Sequence, residues 1–167
     1  MNDFARTQMR YSRHALQRRS ASRRTQRGAT AVEFALVFPL FFTVLYAIVT
    51  YSLIFVAQQN LTLASEEGAR AALNYKKAAN VGAAVSLRAA AACTTATGMV
   101  TGLISRAVCT STPTTCSFDA TMQCIAVTLT YNYAAAPLVP PLPLLNLMLP
   151  NTLTSTATVQ LNPVNIL

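Results

Sequence analysis

From Ala35 to Ala57 the chain runs for 23 residues, ALVFPLFFTVLYAIVTYSLIFVA, without one charged side chain. In water such a run would have to be buried on every face. In a bilayer it need not be, because an α-helix satisfies its own backbone polar groups. At ~1.5 Å per residue the run reaches roughly 34 Å, enough to cross a hydrocarbon core of ~30 Å. It also exceeds the ~7–15-residue apolar core of a removable signal peptide, and no clear small-x-small cleavage site closes its far end. A retained, single-pass transmembrane helix is expected. Pro39 lies inside it and removes one helix hydrogen bond, which fits either a harmless kink or a hinge for leaving the membrane.

Charge gives the run a direction. Residues 1–28 contain eight arginines against one acid, Asp3, while the rest of the chain has five basic and four acidic residues. The net charge of +8 is therefore concentrated beside the apolar run. Such a block reads as a topology signal before it reads as a nucleic-acid-binding arm, and it places the N-terminus in the cytoplasm and the C-terminal part across the membrane. No nucleic-acid partner is expected.

The junction between the two segments is Arg27-Gly28-Ala29-Thr30-Ala31-Val32-Glu33-Phe34. An acid at the head of a span is costly unless it has a partner. Cutting after Gly28 would make Glu33 the fifth residue of the mature chain, close to a new positive amine. This arrangement resembles the class III leader of type IV pilin-like proteins, which a prepilin peptidase removes after a Gly. With Glu33-Phe34 and the later run Glu66-Glu67-Gly68-Ala69-Arg70-Ala71-Ala72, it is similar to the TadE-like minor pilins (pseudopilins) of the tight-adherence type IV pilus. The likeness covers about Arg27 to Ala72 and departs at Ala29, where many type IV pilins begin with an aromatic residue. It implies a processing site at Gly28 and Ala29 and assembly contacts through Glu33 and Phe34. Prepilin peptidase, other pilin and pseudopilin subunits, the inner-membrane assembly platform and the membrane are the partners implied.

Beyond Ala57 the helix is expected to continue to about Asn80, since residues 61–79 are rich in good helix formers, with an irregularity at Val81-Gly82 and helix resuming over Ala83–Ala92. Glu66 and Arg70 have the spacing of an exposed ion pair. Leu61, Ala64, Gly68, Ala72 and Tyr75 form a stripe of mostly small residues, suited to packing on the chain's own globular part or on another subunit.

After Cys93 the composition turns to Thr, Ser, Val and Pro. Ile125–Tyr133 alternates apolar with polar, as does Thr154–Leu161, and both read as half-buried strands; Ser117–Gln123 could add a weaker third. The connection Ala134–Pro150 is apolar and carries five prolines. Its leucines either cover the sheet or form a surface for a partner or the bilayer. The fold class expected is α+β: a leader over 1–28, a transmembrane helix over 29–57, a helical extension over 58–92 and a small antiparallel β-rich head over 93–167.

So small a head needs staples. Cys93, Cys109, Cys116 and Cys124 all lie in the exported part, and four cysteines there read as two disulfides. Three connectivities are open, and the nearest-neighbour pairing Cys93–Cys109 and Cys116–Cys124 is the one favoured. No Cys-x-x-Cys pair occurs and the single histidine, His14, is in the leader, so neither zinc nor another cofactor is expected. Without a histidine base beside the many Ser and Thr, catalysis is not expected either. The resemblance implies a structural subunit of a pilus used in adherence and biofilm formation, held in a bacterial inner membrane with its C-terminus periplasmic; incorporation into the extracellular pilus, and Met1 or Met9 as the start, are left open. The alternative is an uncleaved single-pass anchor with a small adhesive or ligand-binding head.

Overall fold

The computed structural model describes residues 26–100, 102–142, 145–162, 164 and 166. The arginine-rich leader up to residue 25, with His14 and both candidate starts, lies outside them. The chain divides into two units, residues 1–46 and 47–167.

In the first unit every described residue belongs to one helix, α1, which runs from Gln26 to Ala72 and so continues into the second unit. From Thr30 to Leu45 its described side chains are exposed all round, large apolar ones included, such as Leu36, Val37, Leu40 and Phe41. Pro39 sits within the helix without ending it, and the Thr43 hydroxyl donates to the Pro39 carbonyl at 2.8 Å. Phe34 stacks on Phe38 and Phe38 on Phe42, with ring centroids 5.4 and 6.5 Å apart. The four-residue spacing puts the three rings in one row along the helix.

The second unit packs the later turns of α1, a helix α2 (Val81–Met99) and a three-stranded sheet around one core. The strands are β1 (Val108–Thr115), β2 (Gln123–Asn132) and β3 (Thr152–Leu161), antiparallel throughout, with β2 in the centre. Ile125, Val127, Leu129 and Tyr131 of β2 are buried, so the alternating face predicted from the sequence is the core face. Their partners across β3 are Val159, Ala157, Ser155 and Leu153. On the helical side the core is made by Ile54, Ala57, Leu61, Ala64, Ala69 and Ala72 from α1, and by Ala84, Val85, Ala89, Ala92 and Ala96 from α2.

Two elements differ from expectation. The weak strand over Ser117–Gln123 is instead the turn joining β1 and β2. There Met122 N donates to Asp119 O at 3.1 Å, and the Asp119 carboxylate accepts from the Thr121 hydroxyl at 2.7 Å and from Thr121 N at 2.9 Å. Those bonds, the hydroxyl's first, hold the Asp119 carboxyl below its ordinary value. The third strand is β1, whose Thr, Ser and Pro content hides it; Pro113 is tolerated because β1 is an edge strand. The proline-rich connection is divided: Leu138 and Leu149 pack on the core, whereas Leu147 and Met148 are exposed in a 3₁₀ turn, Leu145–Met148.

The helix expected to reach Asn80 is broken sooner. α1 ends at Ala72, with Leu73 N and Asn74 N bonded to Arg70 O and Ala71 O in tightened final turns. α2 begins behind Asn80, an extended residue whose side-chain oxygen accepts from Ala83 N at 2.8 Å. An N-cap of this kind satisfies a backbone donor that a helix start would otherwise leave open. Asn80→Ala should lower stability by about 1 kcal/mol and Asn80→Asp should be near neutral. Equilibrium urea unfolding of the two variants beside the parent chain checks both.

Candidate functional site

The candidate processing and assembly residues, Gly28, Ala29, Glu33 and Phe34, lie in one stretch of α1, and the run Glu66–Ala72 that shares in the family resemblance lies in a second. Gly28 is exposed, and a side chain built there would meet nothing within 4 Å. Glu33 is exposed and among the described residues has neither a hydrogen-bond nor an ion-pair partner. Phe34 is 66% exposed and begins the row of stacked rings. Four apolar positions around this acid, Val32, Leu36, Val37 and Leu40, are all more than half exposed. Among the described residues Glu33 is thus a carboxylate on an uncovered apolar helix, a group that is costly to place in a membrane without a partner.

The helix dipole offers Glu33 little in the uncut chain. The first turn of α1 as described holds no acid, and the dipole's influence fades within that turn. Removal of residues 1–28 would bring the helix start to Ala29 and place Glu33 near it.

The second stretch divides its work differently from expectation. Arg70 pairs with Glu67 at 2.7 Å, three residues away, rather than with Glu66. The small-residue stripe packs inside this chain: Leu61, Ala64, Gly68 and Ala72 are buried, and Tyr75, beyond the helix end, is exposed. Gly68 marks the closest approach. A Cβ there would lie 2.9 Å from the Ala92 carbonyl oxygen, 2.9 Å from the Ala96 Cβ and 3.2 Å from a Val127 methyl. α1, α2 and the central strand thus meet at one glycine.

The four cysteines form Cys93–Cys109, joining α2 to β1, and Cys116–Cys124, closing the β1–β2 turn. The pairing is the nearest-neighbour one. For the larger loop the chain-entropy account gives roughly 3 kcal/mol of stabilisation. Among the described residues no group of three or more His, Cys, Asp or Glu could hold a metal ion.

Three contacts escaped the sequence reading. Arg88 is buried, and its Nη2 donates to the Ile166 carbonyl at 3.1 Å, tying the C-terminal tail to α2. Its place between Ala84 and Ala92 on one helical face was the available signal. Ser65 and Ser155 share a hydroxyl–hydroxyl bond of 3.0 Å between α1 and β3. Gln58 Nε2 donates to Thr154 O at 3.0 Å, so β3 lies directly on the end of the apolar run.

Against known proteins, the family model for TadE-like proteins matches residues 28–70. No curated protein and no solved structure matches the chain. The matched stretch starts at the exposed glycine, contains the lone acid and ends at the arginine paired with Glu67. It is helical throughout, and the head lies outside it.

Gly68→Ala should destabilise the fold although alanine is the better helix former. The propensity gain is about 0.5–1 kcal/mol, and forcing a methyl against the Ala92 backbone costs about 1–3 kcal/mol. A lowered midpoint in thermal or urea unfolding is expected, and a raised one would show that the contact relaxes freely.

Proposed function

We propose that this chain is a minor pilin, or pseudopilin, of a tight-adherence type IV pilus, made as a precursor and cut between Gly28 and Ala29. The observation that carries the proposal is Glu33, without a partner among the described residues, on an uncovered apolar helix five residues past an exposed glycine, within the stretch that the TadE-like family model matches. α1 is long and apolar enough to cross a membrane, and its most apolar window is wholly unburied. That distinguishes it from the core helix of a water-soluble domain and supports membrane anchoring. The arginine block then orients the N-terminus toward the cytoplasm, where a prepilin peptidase would act.

Gly28 suits the cut for two reasons. Glycine weakens a helix by about 0.5–1 kcal/mol relative to alanine, which eases the local unwinding that hydrolysis of a helical peptide bond requires. It also has no side chain to hinder the approach of an enzyme's active site. Gly28→Leu should leave the precursor uncut, whereas Gly28→Ala should be cut at a reduced rate. Intact-mass analysis of membrane-extracted protein reads both, and a mature chain beginning anywhere but Ala29 would count against the pilin assignment.

After the cut Glu33 stands beside positive amines, its own and those of neighbouring subunits. A charge-assisted bond to a neighbour's amine would relieve the burial of both groups as the helices pack. The competing role, favouring the new helix start through its dipole, needs no partner. Glu33→Gln separates them. Loss of one member of a deeply buried pair costs roughly 3–5 kcal/mol and less near the membrane surface, and at ~1.4 kcal/mol per decade this cuts association by several hundredfold. Loss of the dipole contact costs only ~0.3–1 kcal/mol. In a strain carrying Glu33→Gln, leader removal should be normal while crosslinking to pilin partners and pilus number collapse. Normal pili at normal subunit levels would rule out the intersubunit bond.

The alternative is an uncleaved single-pass anchor with a small adhesive or ligand-binding head, and its ligand-binding form can be weighed on two hollows among the described residues. The cavity between Tyr133, Pro137, Pro141 and Leu149 holds about 190 Å³, below the ~300–1,000 Å³ of typical ligand pockets. The larger hollow by Leu103, Arg106, Tyr131 and Leu138, about 490 Å³, is open to solvent.

A further inference from the structure

The part of α1 that lipid can surround is shorter than the apolar run in the sequence. Thr50, Ile54 and Ala57 are 1%, 7% and 0% exposed, covered by the head. One face of the last turns of the run is therefore part of the protein core, while Phe55 and Val56 on the other face are 66% and 50% exposed. From Ala29 to Val49 the helix still covers roughly 30 Å at ~1.5 Å per residue, a full hydrocarbon thickness. If that stretch spans the bilayer, α1 leaves it near Thr50–Tyr51, and whatever part of the head lies beside Tyr51 lies at the membrane surface.

The 3₁₀ turn of the β2–β3 connection is that part. The Tyr51 hydroxyl donates to the Met148 carbonyl at 3.1 Å, fixing the turn against α1 at this level. Leu149, the next residue, is half-buried on the core, while Leu147 and Met148 are 87% and 79% exposed. Residues 134–150 contain no charged side chain. Two adjacent large apolar side chains on an uncharged loop, beside a tyrosine at the exit of a span, match the headgroup–acyl boundary, where amphipathic aromatic rings and exposed apolar groups are both favoured.

We propose that Leu147 and Met148 insert into the leaflet on the head's side of the membrane, so that the head rests on the bilayer and sets the exit of α1 at Thr50–Tyr51 rather than at Ala57. The proposal rests on the membrane-spanning role of α1 argued above, and its test is arranged to fail separately from that role. The chain has no tryptophan, so single tryptophans report cleanly. Leu147→Trp and Met148→Trp, each in the full chain reconstituted in phosphatidylcholine–phosphatidylglycerol vesicles, are measured with lipids brominated along their acyl chains and with aqueous acrylamide. Leu45→Trp serves as the span reference, and Leu87→Trp, on the exposed side of α2, as the water reference.

Both turn variants should show blue-shifted emission, quenching by brominated lipid approaching that of Leu45→Trp, and weak quenching by acrylamide. Strong acrylamide quenching like that of Leu87→Trp, with Leu45→Trp still quenched by lipid, would overturn the proposal while leaving the span intact. Protection from both quenchers that grows with the protein-to-lipid ratio would overturn it in favour of a contact between subunits. Absence of lipid quenching at Leu45→Trp would remove the membrane span itself, and the proposal with it.

Discussion

The contact at Gly68 is the constraint on which the head depends. Sheets and helices ordinarily pack about 10 Å apart with large side chains between them. Here the facing residues are mostly alanines, so the elements must come closer to exclude water, and at Gly68 the Ala92 backbone is reached directly. Small facing residues bury little area each, roughly 25 cal/mol per Å². The fold compensates with contacts that do not scale with side-chain size: the Asn80 cap, the Ser65–Ser155 bond and two disulfides.

This economy explains which parts of the fold were legible. β2 and β3 carry large apolar residues at every second position, and a period of two survives in any context. Cys109, Ser111 and Pro113 lie on the corresponding face of β1, too small or too irregular to show that period. The break after Ala72 was hidden for a related reason. Lys76, Lys77 and the flanking alanines are good helix formers, and only the capping geometry at Asn80 shows that the chain turns there. In the sequence Arg88 is only one of five basic residues beyond the leader. Its long stem can fill space that alanines leave, with the guanidinium reaching the Ile166 carbonyl.

The candidate site was legible for the opposite reason. Glu33 stands out by contrast with an apolar and otherwise uncharged surround, and Gly28 by its place where the arginine-rich segment ends and that apolar surround begins; contrast of this kind needs no knowledge of packing. What sequence could not supply was the division of labour within α1. The same helix is bare around Glu33 and covered along one face from Thr50 onward. Gly68 belongs to the covered face and serves the head, and the Glu67–Arg70 pair lies beside it on the helix surface, although all three fall within the same stretch matched by the TadE-like family model as Glu33.

This division bears on how a single carboxylate could be carried in a membrane and still drive assembly. If α1 leaves the bilayer near Tyr51 and the mature chain starts at Ala29, as proposed, Glu33 lies about 6 Å along the axis from that start, at ~1.5 Å per residue. That is shallow enough for headgroups and water to solvate the carboxylate while the subunit is alone, and the cost of carrying it falls toward the surface. Packing against neighbouring helices would exclude that solvent and raise the cost, unless a neighbour's amine took its place. A charge cheap to hold in isolation and expensive to pack without its counterpart would penalise misregistered neighbours more than it would stabilise correct ones. Its chief contribution would then be to the register of the assembly rather than to its strength.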